Sequence, residues 1–398
     1  MKCYVSINRK NAPLVPLFFT CFLLLTGCWD RVETNEMAMV LTMAIDKSKD
    51  QLKVSVQILI PQGEKSGQHG AGGENKTTIV RTALGKSITD AMSKIQAKTT
   101  RLLFWGQCRV YIFGEQLAKE GLHDEIDFLI RHPEPRNRSY LFVSEGEAAH
   151  LLTLQSPLEG YIGQSLRKLA DERMNAVITL KDFQQMITGE AGGAILPYIK
   201  TKNLEQVEEK ETLGPILETS IFKRDKMIGK IDQKMTKGVL WLRDEIHEAV
   251  VGVKPQNGRG IITVELIQAH TDIVPKIENN KWQITANIKT EGSIVENATA
   301  LDVMKPEINK MLQKKLAKVI QQRITQTLEE VQKGMKADVF HFAEAFERKY
   351  PEKWDKVKDR WNKVFPQVEV ELDIKIHVRR PGVGTRPAGL PKQEEGKK

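Results

Sequence analysis

Near the C-terminus, apolar and polar residues alternate without a break from Val368 to Arg379. Successive side chains of a β-strand point to opposite faces, so this alternation predicts a strand with one apolar and one polar face. The apolar face has to be buried against a second layer of structure. The segment therefore predicts a sheet that helices cover on one side.

Strand and helix patterns both occur in the rest of the chain. An apolar stripe predicts a long helix from Pro306 to Lys333, with Gly334 just past its end. Asn279 and Asn280 tolerate positive φ angles and predict a tight hairpin turn between two strands. Because hairpins outnumber strand–helix–strand units, we expect an α+β fold. It would have two successive mixed domains of largely antiparallel sheets with helices packed against them, the second with the long helix and a terminal edge-to-core strand.

The run from Leu102 to Phe113 predicts a further strand, on which Cys108 shares a face with Phe104, Val110 and Ile112. Alternation along this strand makes a buried core thiol the favoured interpretation of Cys108. The alternative is a reactive thiol, which would need an electropositive and partly open site.

Shifts in composition divide the chain into segments. The stretch from Lys200 to Glu211 is charged and has no apolar periodicity, so we place the main domain boundary there. A further division of the N-terminal domain near residue 146, into a β-rich and a helical part, stays open. The expected segments are a signal peptide (1–27), an N-terminal domain (28–200), a charged linker (201–217), a C-terminal domain (218–380) and a disordered tail (381–398).

The first residues have the pattern of a lipoprotein signal. Three basic residues precede an apolar run from Leu14 to Leu25, which is too short for a membrane-spanning helix. The run closes on a lipobox formed by Leu25, Thr26 and Gly27, followed by Cys28, whose thiol is the nucleophile that takes a diacylglyceryl group. We predict cleavage before Cys28, with diacylglyceryl and N-acyl groups on that residue, since two or more chains anchor a protein firmly. The alternatives are an uncleaved signal anchor and an ordinary signal with an incidental cysteine.

Cleavage before Cys28 changes the chemistry of the remaining body. It removes the three basic residues, so the formal net charge falls from +9 to +6. It also removes Cys3 and Cys21, and lipid occupies Cys28, so Cys108 is the one thiol left and no intramolecular disulfide can form. The remaining charge is too diffuse for nucleic-acid binding and suits an anionic membrane surface or cell-wall polymer.

The sequence has no combination of residues typical of catalysis or of metal binding. Leu84-Gly85-Lys86-Ser87 ends like a phosphate-binding loop, but Val80 stands where that loop needs its first glycine. No Cys/His spacing fits zinc. His123 and Asp127 look most like a catalytic pair, and a solvated ion pair on a helix is the favoured interpretation. We therefore expect no catalytic residue, no metal, no cofactor beyond the covalent lipid on Cys28, and no enzymatic activity.

Two segments are candidates for binding. Arg131, Glu134 and Arg136 concentrate charge in a Pro-containing segment and form a possible partner-binding loop, with a solvated turn as the alternative. Trp354 and Trp361 could form a ligand shelf, although core packing is the favoured interpretation.

Short motifs along the whole mature chain resemble one known family. The order of these motifs resembles the Ger(x)C family, the C-subunit lipoproteins of spore nutrient germinant receptors. There are departures: Gln107 stands where histidine is common, and His341 and Ala343 where glycine often occurs. The motifs are Cys28-Trp29-Asp30-Arg31-Val32-Glu33, Leu103-Phe104-Trp105-Gly106, Arg131-His132-Pro133-Glu134, Asp338-Val339-Phe340, Tyr350-Pro351-Glu352-Lys353-Trp354, Trp361-Asn362-Lys363-Val364-Phe365-Pro366 and Arg379-Arg380-Pro381-Gly382.

The resemblance implies a binding or scaffolding subunit that is not an enzyme. It implies an anchor on the outer surface of the inner spore membrane, and joint action with a polytopic membrane subunit and a transporter-like membrane subunit in nutrient sensing. Two rival functions follow from an exported lipoprotein in general. A solute-binding lipoprotein of a transport system would need two doubly wound lobes, which the hairpin-rich order disfavours. An exported cell-wall hydrolase would need a catalytic site that the sequence does not offer.

Overall fold

The computed structural model describes residues 33, 36–60, 77–154, 156, 158–200, 216–247, 249–255, 260–299, 301–303 and 305–379. The predicted signal peptide, the lipobox, Cys28 and the predicted tail lie outside these residues. So do residues 201–215 of the predicted linker.

A nine-stranded sheet takes seven of its strands from before the predicted linker and two from after it. Its strand order is β3-β2-β1-β5-β6-β7-β8-β9, and the short strand β4 pairs with β1. The strands are β1 (Met37–Ser48), β2 (Gln51–Leu59), β3 (Thr78–Gly85), β4 (Leu102–Phe104), β5 (Val110–Gly114), β6 (Tyr140–Ser144), β7 (Gly193–Lys200), β8 (Ile216–Lys223) and β9 (Lys226–Ile231).

The outer strands of this sheet pair antiparallel and include the N-terminal hairpin of β1 and β2. Its centre differs, because β1, β5, β6 and β7 run parallel to one another. Parallel neighbours need crossover connections, and helices supply them here. The helices of this part are α1 (Ile88–Gln96), α2 (Glu115–Glu120), α3 (His123–Arg131), α4 (Ala148–Leu151), α5 (Ile162–Asp171), α6 (Leu180–Thr188) and α7 (Gln233–Leu242).

A second, four-stranded sheet has the order β10-β11-β12-β13. The Asn279 and Asn280 turn has φ angles of 49° and 63° and joins β11 to β12, as predicted. The strands are β10 (Ala249–Val253), β11 (Ile262–Glu278), β12 (Lys281–Asn297) and β13 (Glu369–Arg379).

The predicted terminal strand is β13, which pairs parallel with β12 at the edge of the sheet. Its polar face is exposed, and its apolar face becomes buried at Ile376 and Val378. The helices of this part are α8 (Pro306–Thr327), α9 (Phe342–Lys349), α10 (Pro351–Trp354) and α11 (Trp361–Val364), with 3₁₀ turns at Lys358–Arg360 and Phe365–Gln367. The class is therefore α+β, with mixed sheets, a long helix and a closing strand.

Two local predictions need correction. The run from Leu102 to Phe113 is two strands, because the chain turns between β4 and β5. Cys108 is buried as expected, but it packs in the same cluster as Tyr111 and Phe113. Val110 and Ile112 belong to a second cluster. The turn breaks the alternation, so Cys108 does not share a face with Val110.

Gly334 does not end the long helix. A π-helical segment, Leu328–Met335, continues α8 and contains Gly334. The helix ends at Lys336, where φ is 56° and the backbone N–H donates to the carbonyl of Val331. In this segment the backbone hydrogen bonds join residues five positions apart, and the helix continues past the glycine.

Strands from both sides of the predicted linker belong to the first sheet. β8 and β9 follow the predicted linker, yet β8 hydrogen-bonds to β7 over its whole length. Ile216 and Leu217, assigned to the linker, are the first residues of β8. The division into domains at this point stays a prediction, while the first sheet contains strands from both sides of it.

Candidate functional site

The predicted lipid-attachment residue, Cys28, lies outside the described residues. No helix among the described residues is long and apolar enough to cross a membrane. In the same residues, no group of three or more His, Cys, Asp or Glu side chains could hold a metal ion.

The segment with the candidate residues Arg131, Glu134 and Arg136 holds the turn between β4 and β5. The Trp105 backbone N–H donates to Glu134 Oε2 over 2.9 Å. Arg136 Nε donates to the Gly106 carbonyl over 2.6 Å. Glu134 and Arg136 therefore bind the chain's own backbone.

Arg131 differs from the other two candidates. Its Nε donates to Asp127 Oδ2 over 2.7 Å, and its side chain is 77% exposed. Asp127, which the sequence pairs with His123, thus has Arg131 as its hydrogen-bond partner. Of the three candidates, Arg131 is the one with no hydrogen bond to the Trp105 turn among the described residues, and its role in partner binding stays a prediction.

Aromatic rings secure the same turn. The indole of Trp105 stacks on the imidazole of His132, with centroids 5.2 Å apart and planes 16° apart. Phe128 packs against both rings, at 6.1 Å from Trp105 and 5.4 Å from His132. Two motifs that carry the family resemblance, around Trp105 and around His132, are therefore in direct contact.

A buried carboxylate organises the corresponding motif of the second half. Asp338 Oδ1 accepts from the backbone N–H groups of Phe340 and Phe342, both at 3.2 Å. Asp338 Oδ2 accepts from the Ala343 N–H at 2.8 Å and from Trp361 Nε1 at 2.9 Å. Burial raises the pKa of Asp338 to about 7, against the opposite effect of these hydrogen bonds. One side chain thus fixes the start of α9 and the position of Trp361.

The loop around Asp338 lies against the first sheet. A Cβ atom on Gly193, at the start of β7, would lie 2.3 Å from the Asp338 carbonyl oxygen, so only glycine permits this approach. Nearby, Trp354 Nε1 donates to Glu190 Oε2 over 3.1 Å. Trp354 and Trp361 are buried with centroids 5.1 Å apart, which confirms core packing. The aromatic core of the second half is therefore joined to the first sheet.

The departure from the family pattern at His341 has a structural explanation. His341 has φ 62° and ψ 32°, a left-handed conformation that favours glycine. Its Nε2 accepts from Arg243 Nη1 over 2.8 Å, and Arg243 also donates to the Val339 carbonyl over 2.9 Å. Burial and the Arg243 charge lower the pKa of His341 to about 3, so the ring is neutral. The Arg243 bond stabilises a histidine in a backbone position that suits glycine.

In the sequence, Asp338 belongs to a family motif and has no predicted role of its own. The sequence does contain a signal for this role, because an Asp shortly before the first turn of a helix can accept hydrogen bonds from several backbone N–H groups. Arg243 carried no comparable local signal for its role here, because Val339 and His341 lie almost one hundred positions further along.

A cleft of about 180 Å³ opens beside Asp338, between the β7–β8 end of the first sheet and the α11 region. Its lining mixes charges of both signs, including Glu190, Arg224, Lys336 and Lys358. Asp338 and Trp361 in its wall are hydrogen-bonded to each other. Of these charged residues, Glu190 connects the two halves, through its hydrogen bond from Trp354, whereas Lys358 pairs with Asp355 of its own segment.

Comparisons with known proteins agree with this structure. The family model "Spore germination protein N-terminal domain" matches residues 30–201, and "Spore germination B3/GerAC like, C-terminal" matches residues 218–382. The crystal structure of the GerBC protein matches with a TM-score of 0.51 and 21% identity, over 84% of this chain and 96% of that one. That likeness shows the same fold.

Two curated relatives extend over nearly the whole chain. Spore germination protein B3 of Bacillus subtilis (strain 168) is 26% identical over 382 residues, covering 93% of this chain and 98% of that protein. Spore germination protein KC of the same organism is 24% identical over 398 residues, covering 95% and 98%. Both are named as germination proteins and not as enzymes, in agreement with the expectation of no enzymatic activity. The chain belongs to the Ger(x)C family of spore germination proteins.

Proposed function

We propose that this chain is a lipid-anchored, non-enzymatic subunit of a spore nutrient germinant receptor. It acts with a polytopic membrane subunit and a transporter-like membrane subunit in the nutrient-triggered start of germination. The observation that carries the proposal is the match to spore germination models over residues 30–201 and 218–382, directly after a lipobox.

In this proposal Cys28 carries diacylglyceryl and N-acyl groups and holds the body at the outer surface of the inner spore membrane. Each acyl chain contributes about 0.8 kcal/mol per buried methylene, so two or more chains anchor the protein firmly. The spacer from Cys28 to Met37, the first residue of β1, extends at most about 30 Å. A body held this close to the membrane subunits binds them at high effective concentration, so modest contacts suffice.

The packing supports a scaffolding role for the body. The strands β7 and β8, from either side of the predicted linker, pair over eight residues each. The Asp338 loop packs against Gly193 of the same sheet. A contact made by one half is therefore held in a defined position relative to the other half.

The test compares spores whose chain carries Cys28→Ala with spores carrying Cys21→Ala, a cysteine in the signal that the lipobox does not include. We expect Cys28→Ala to remove the chain from the inner-membrane fraction and to slow nutrient germination strongly. Germination by agents that bypass receptors should stay normal. Cys21→Ala should change neither readout, and an unrelated membrane anchor fused to the Cys28→Ala body should restore nutrient germination.

Normal nutrient germination in Cys28→Ala spores, with the chain recovered in soluble form, would contradict the anchor. Normal nutrient germination after complete deletion, in a strain without a related gene, would contradict the receptor role itself.

A further inference from the structure

A second cleft, of about 700 Å³, lies between the β11–β12 turn and the helical segment that follows α9. Its apolar floor includes Trp282 of β12 together with Val357 and Val364. Val357 is only 7% exposed, and Trp282 and Val364 are half-buried. The apolar part of the cleft is therefore recessed below its rim.

The floor is preformed. The Trp282 ring packs edge-on against Phe346, with centroids 4.7 Å apart, and against Trp361, with centroids 5.8 Å apart. Phe346 and Trp361 also pack on each other, with ring centroids 5.7 Å apart. Such edge-to-face contacts fix the orientation of each ring, so little conformational freedom is lost when a ligand binds.

The rim is basic. Lys353, Lys356 and Arg360 are exposed and line one side of the cleft. Among the described residues, neither Lys356 nor Arg360 has a carboxylate within ion-pair distance, and Lys353 lies over the Tyr350 ring at 5.5 Å. Lys281 lines the other side, where the single acidic lining residue, Glu369, is 4.0 Å away. The acidic Asp355 of the same helical segment is paired with Lys358 over 2.9 Å.

We propose that this cleft binds an acidic segment of a partner protein. One apolar side chain of the segment lies on Trp282, and its carboxylates pair with Lys353, Lys356 and Arg360. If the chain has the proposed function, this partner is another subunit of the receptor. The identity of the partner therefore rests on the proposed function.

The shape of the cleft favours a protein segment over other anionic ligands. Small-molecule sites enclose most of their ligand, whereas this cleft has an exposed rim. A bilayer presents a flat surface and does not reach the recessed Trp282 and Val357. Tryptophan and arginine in a preformed concave site are typical of the residues that dominate protein–protein binding energy.

The test measures binding of a fluorescein-labelled synthetic peptide of repeating Glu-Glu-Leu units to the purified full chain in detergent, by fluorescence anisotropy. We expect Lys353→Glu combined with Lys356→Glu and Arg360→Glu to weaken binding by about tenfold or more, equal to about 1.4 kcal/mol. The matched control reverses three lysines on the exposed side of α8 and should bind like the unaltered chain. Its substitutions are Lys310→Glu, Lys314→Glu and Lys318→Glu.

Two further variants test separately the contribution of the positive charges and that of the aromatic floor. The neutral set Lys353→Gln, Lys356→Gln and Arg360→Gln should weaken binding without adding negative charge to the helical segment. Trp282→Phe keeps an aromatic ring in the floor but shrinks the contact, and should weaken binding less than the charge reversals. All variants are compared by thermal unfolding, and the exposed substitutions should leave it unchanged.

Three results would overturn the proposal. The unaltered chain could fail to bind the peptide, or the α8 control could lose as much affinity as the cleft variant, which would indicate diffuse attraction. The cleft variant could bind the peptide with unchanged affinity and instead lose binding to phosphatidylglycerol vesicles, which would indicate a lipid site. Each result is independent of the Cys28 experiment, because peptide binding requires neither the anchor nor germination.

Discussion

The Nη1 group of Arg243 donates a 2.8 Å hydrogen bond to Nε2 of His341, and this bond connects two distant parts of the chain. Arg243 is the C-cap residue that follows α7, and its side chain is 4% exposed. His341 precedes α9 in a left-handed conformation. The bond therefore stabilises a backbone conformation that costs an L-residue about 1–2 kcal/mol.

Two substitutions at this position separate the hydrogen bond from the backbone conformation. His341→Ala removes the acceptor and keeps a Cβ atom in the left-handed region, while His341→Gly removes the acceptor and relieves the backbone. We expect His341→Ala to lower the free energy of unfolding by about 1–3 kcal/mol, since the buried Arg243 Nη1 loses its imidazole acceptor and keeps the Val339 carbonyl and a long contact to Met186 Sδ. His341→Gly should cost about 1 kcal/mol less. Urea denaturation followed by tryptophan fluorescence measures both, and equal losses would contradict the explanation.

His341 also predicts a pH dependence of stability. The folded chain holds the pKa of His341 at about 3, well below its ordinary value of 6.5. Below pH 6.5 the unfolded chain binds a proton that the folded chain does not, so the free energy of unfolding falls as the pH drops from 6.5 towards 3. His341→Gln keeps an acceptor for Arg243 and lacks this titration. We expect the stability of the unaltered chain to fall more steeply between pH 6.5 and 5 than that of the variant. Parallel curves would show that His341 does not titrate in this way.

Asp338 is the acceptor for four buried donors, and its two oxygens share them equally. Asp338→Asn replaces one oxygen by an NH₂ group. This group cannot accept a hydrogen bond, so two of the four donors lose their acceptor. At pH 8 we expect a loss of about 2–4 kcal/mol in the free energy of unfolding, from two unpaired buried groups. Asp359→Asn, at an exposed position in the same part of the chain, is the control and should stay within about 0.5 kcal/mol. A small effect of Asp338→Asn would show that the loop can rearrange around the amide.

The approach of β7 to the Asp338 loop depends on a single glycine. A Cβ atom on Gly193 would meet backbone atoms of Asp338 at 2.3 and 2.4 Å, so Gly193→Ala must displace backbone. A Cβ atom on Gly334, which lies in a helix, would make only an ordinary van der Waals contact, 3.6 Å from the Glu329 carbonyl oxygen. We expect Gly193→Ala to lower the thermal midpoint by several degrees and Gly334→Ala to leave it unchanged or raise it, since alanine favours a helix by about 1 kcal/mol. A neutral Gly193→Ala would mean that the two halves can separate slightly without cost.

Some elements could be predicted from sequence because their causes are local. Asn279 and Asn280 set their own turn through their tolerance of positive φ, and the alternation after Val368 sets the two faces of β13. Trp354 and Trp361 lie at helical spacing in an apolar setting, which already favours core packing.

Other elements depend on pairings that local patterns do not encode. Alternation identifies the buried face of a strand but not its neighbour, so the parallel pairing of β1 with β5 was not predicted. The apolar residues around Cys108 resemble strand residues, although a hydrogen bond that Glu134 accepts and one that Arg136 donates hold them in a turn. The partners of these bonds lie about thirty positions apart. The candidate loop therefore has a structural role that only its tertiary contacts reveal.

The last prediction separates that structural role from partner binding. Arg136→Ala removes the charged donor to the Gly106 carbonyl, so we expect it to lower the free energy of unfolding by about 1–3 kcal/mol. Arg131→Ala removes an exposed ion pair with Asp127 and should cost no more than about 0.5 kcal/mol. If Arg131 contacts a partner subunit, Arg131→Ala spores will germinate slowly on nutrients while the chain remains stable and present at its normal level. Normal nutrient germination of these spores, measured beside an immunoblot of the membrane fraction, would exclude Arg131 from the partner interface and leave the segment with its role in holding the Trp105 turn.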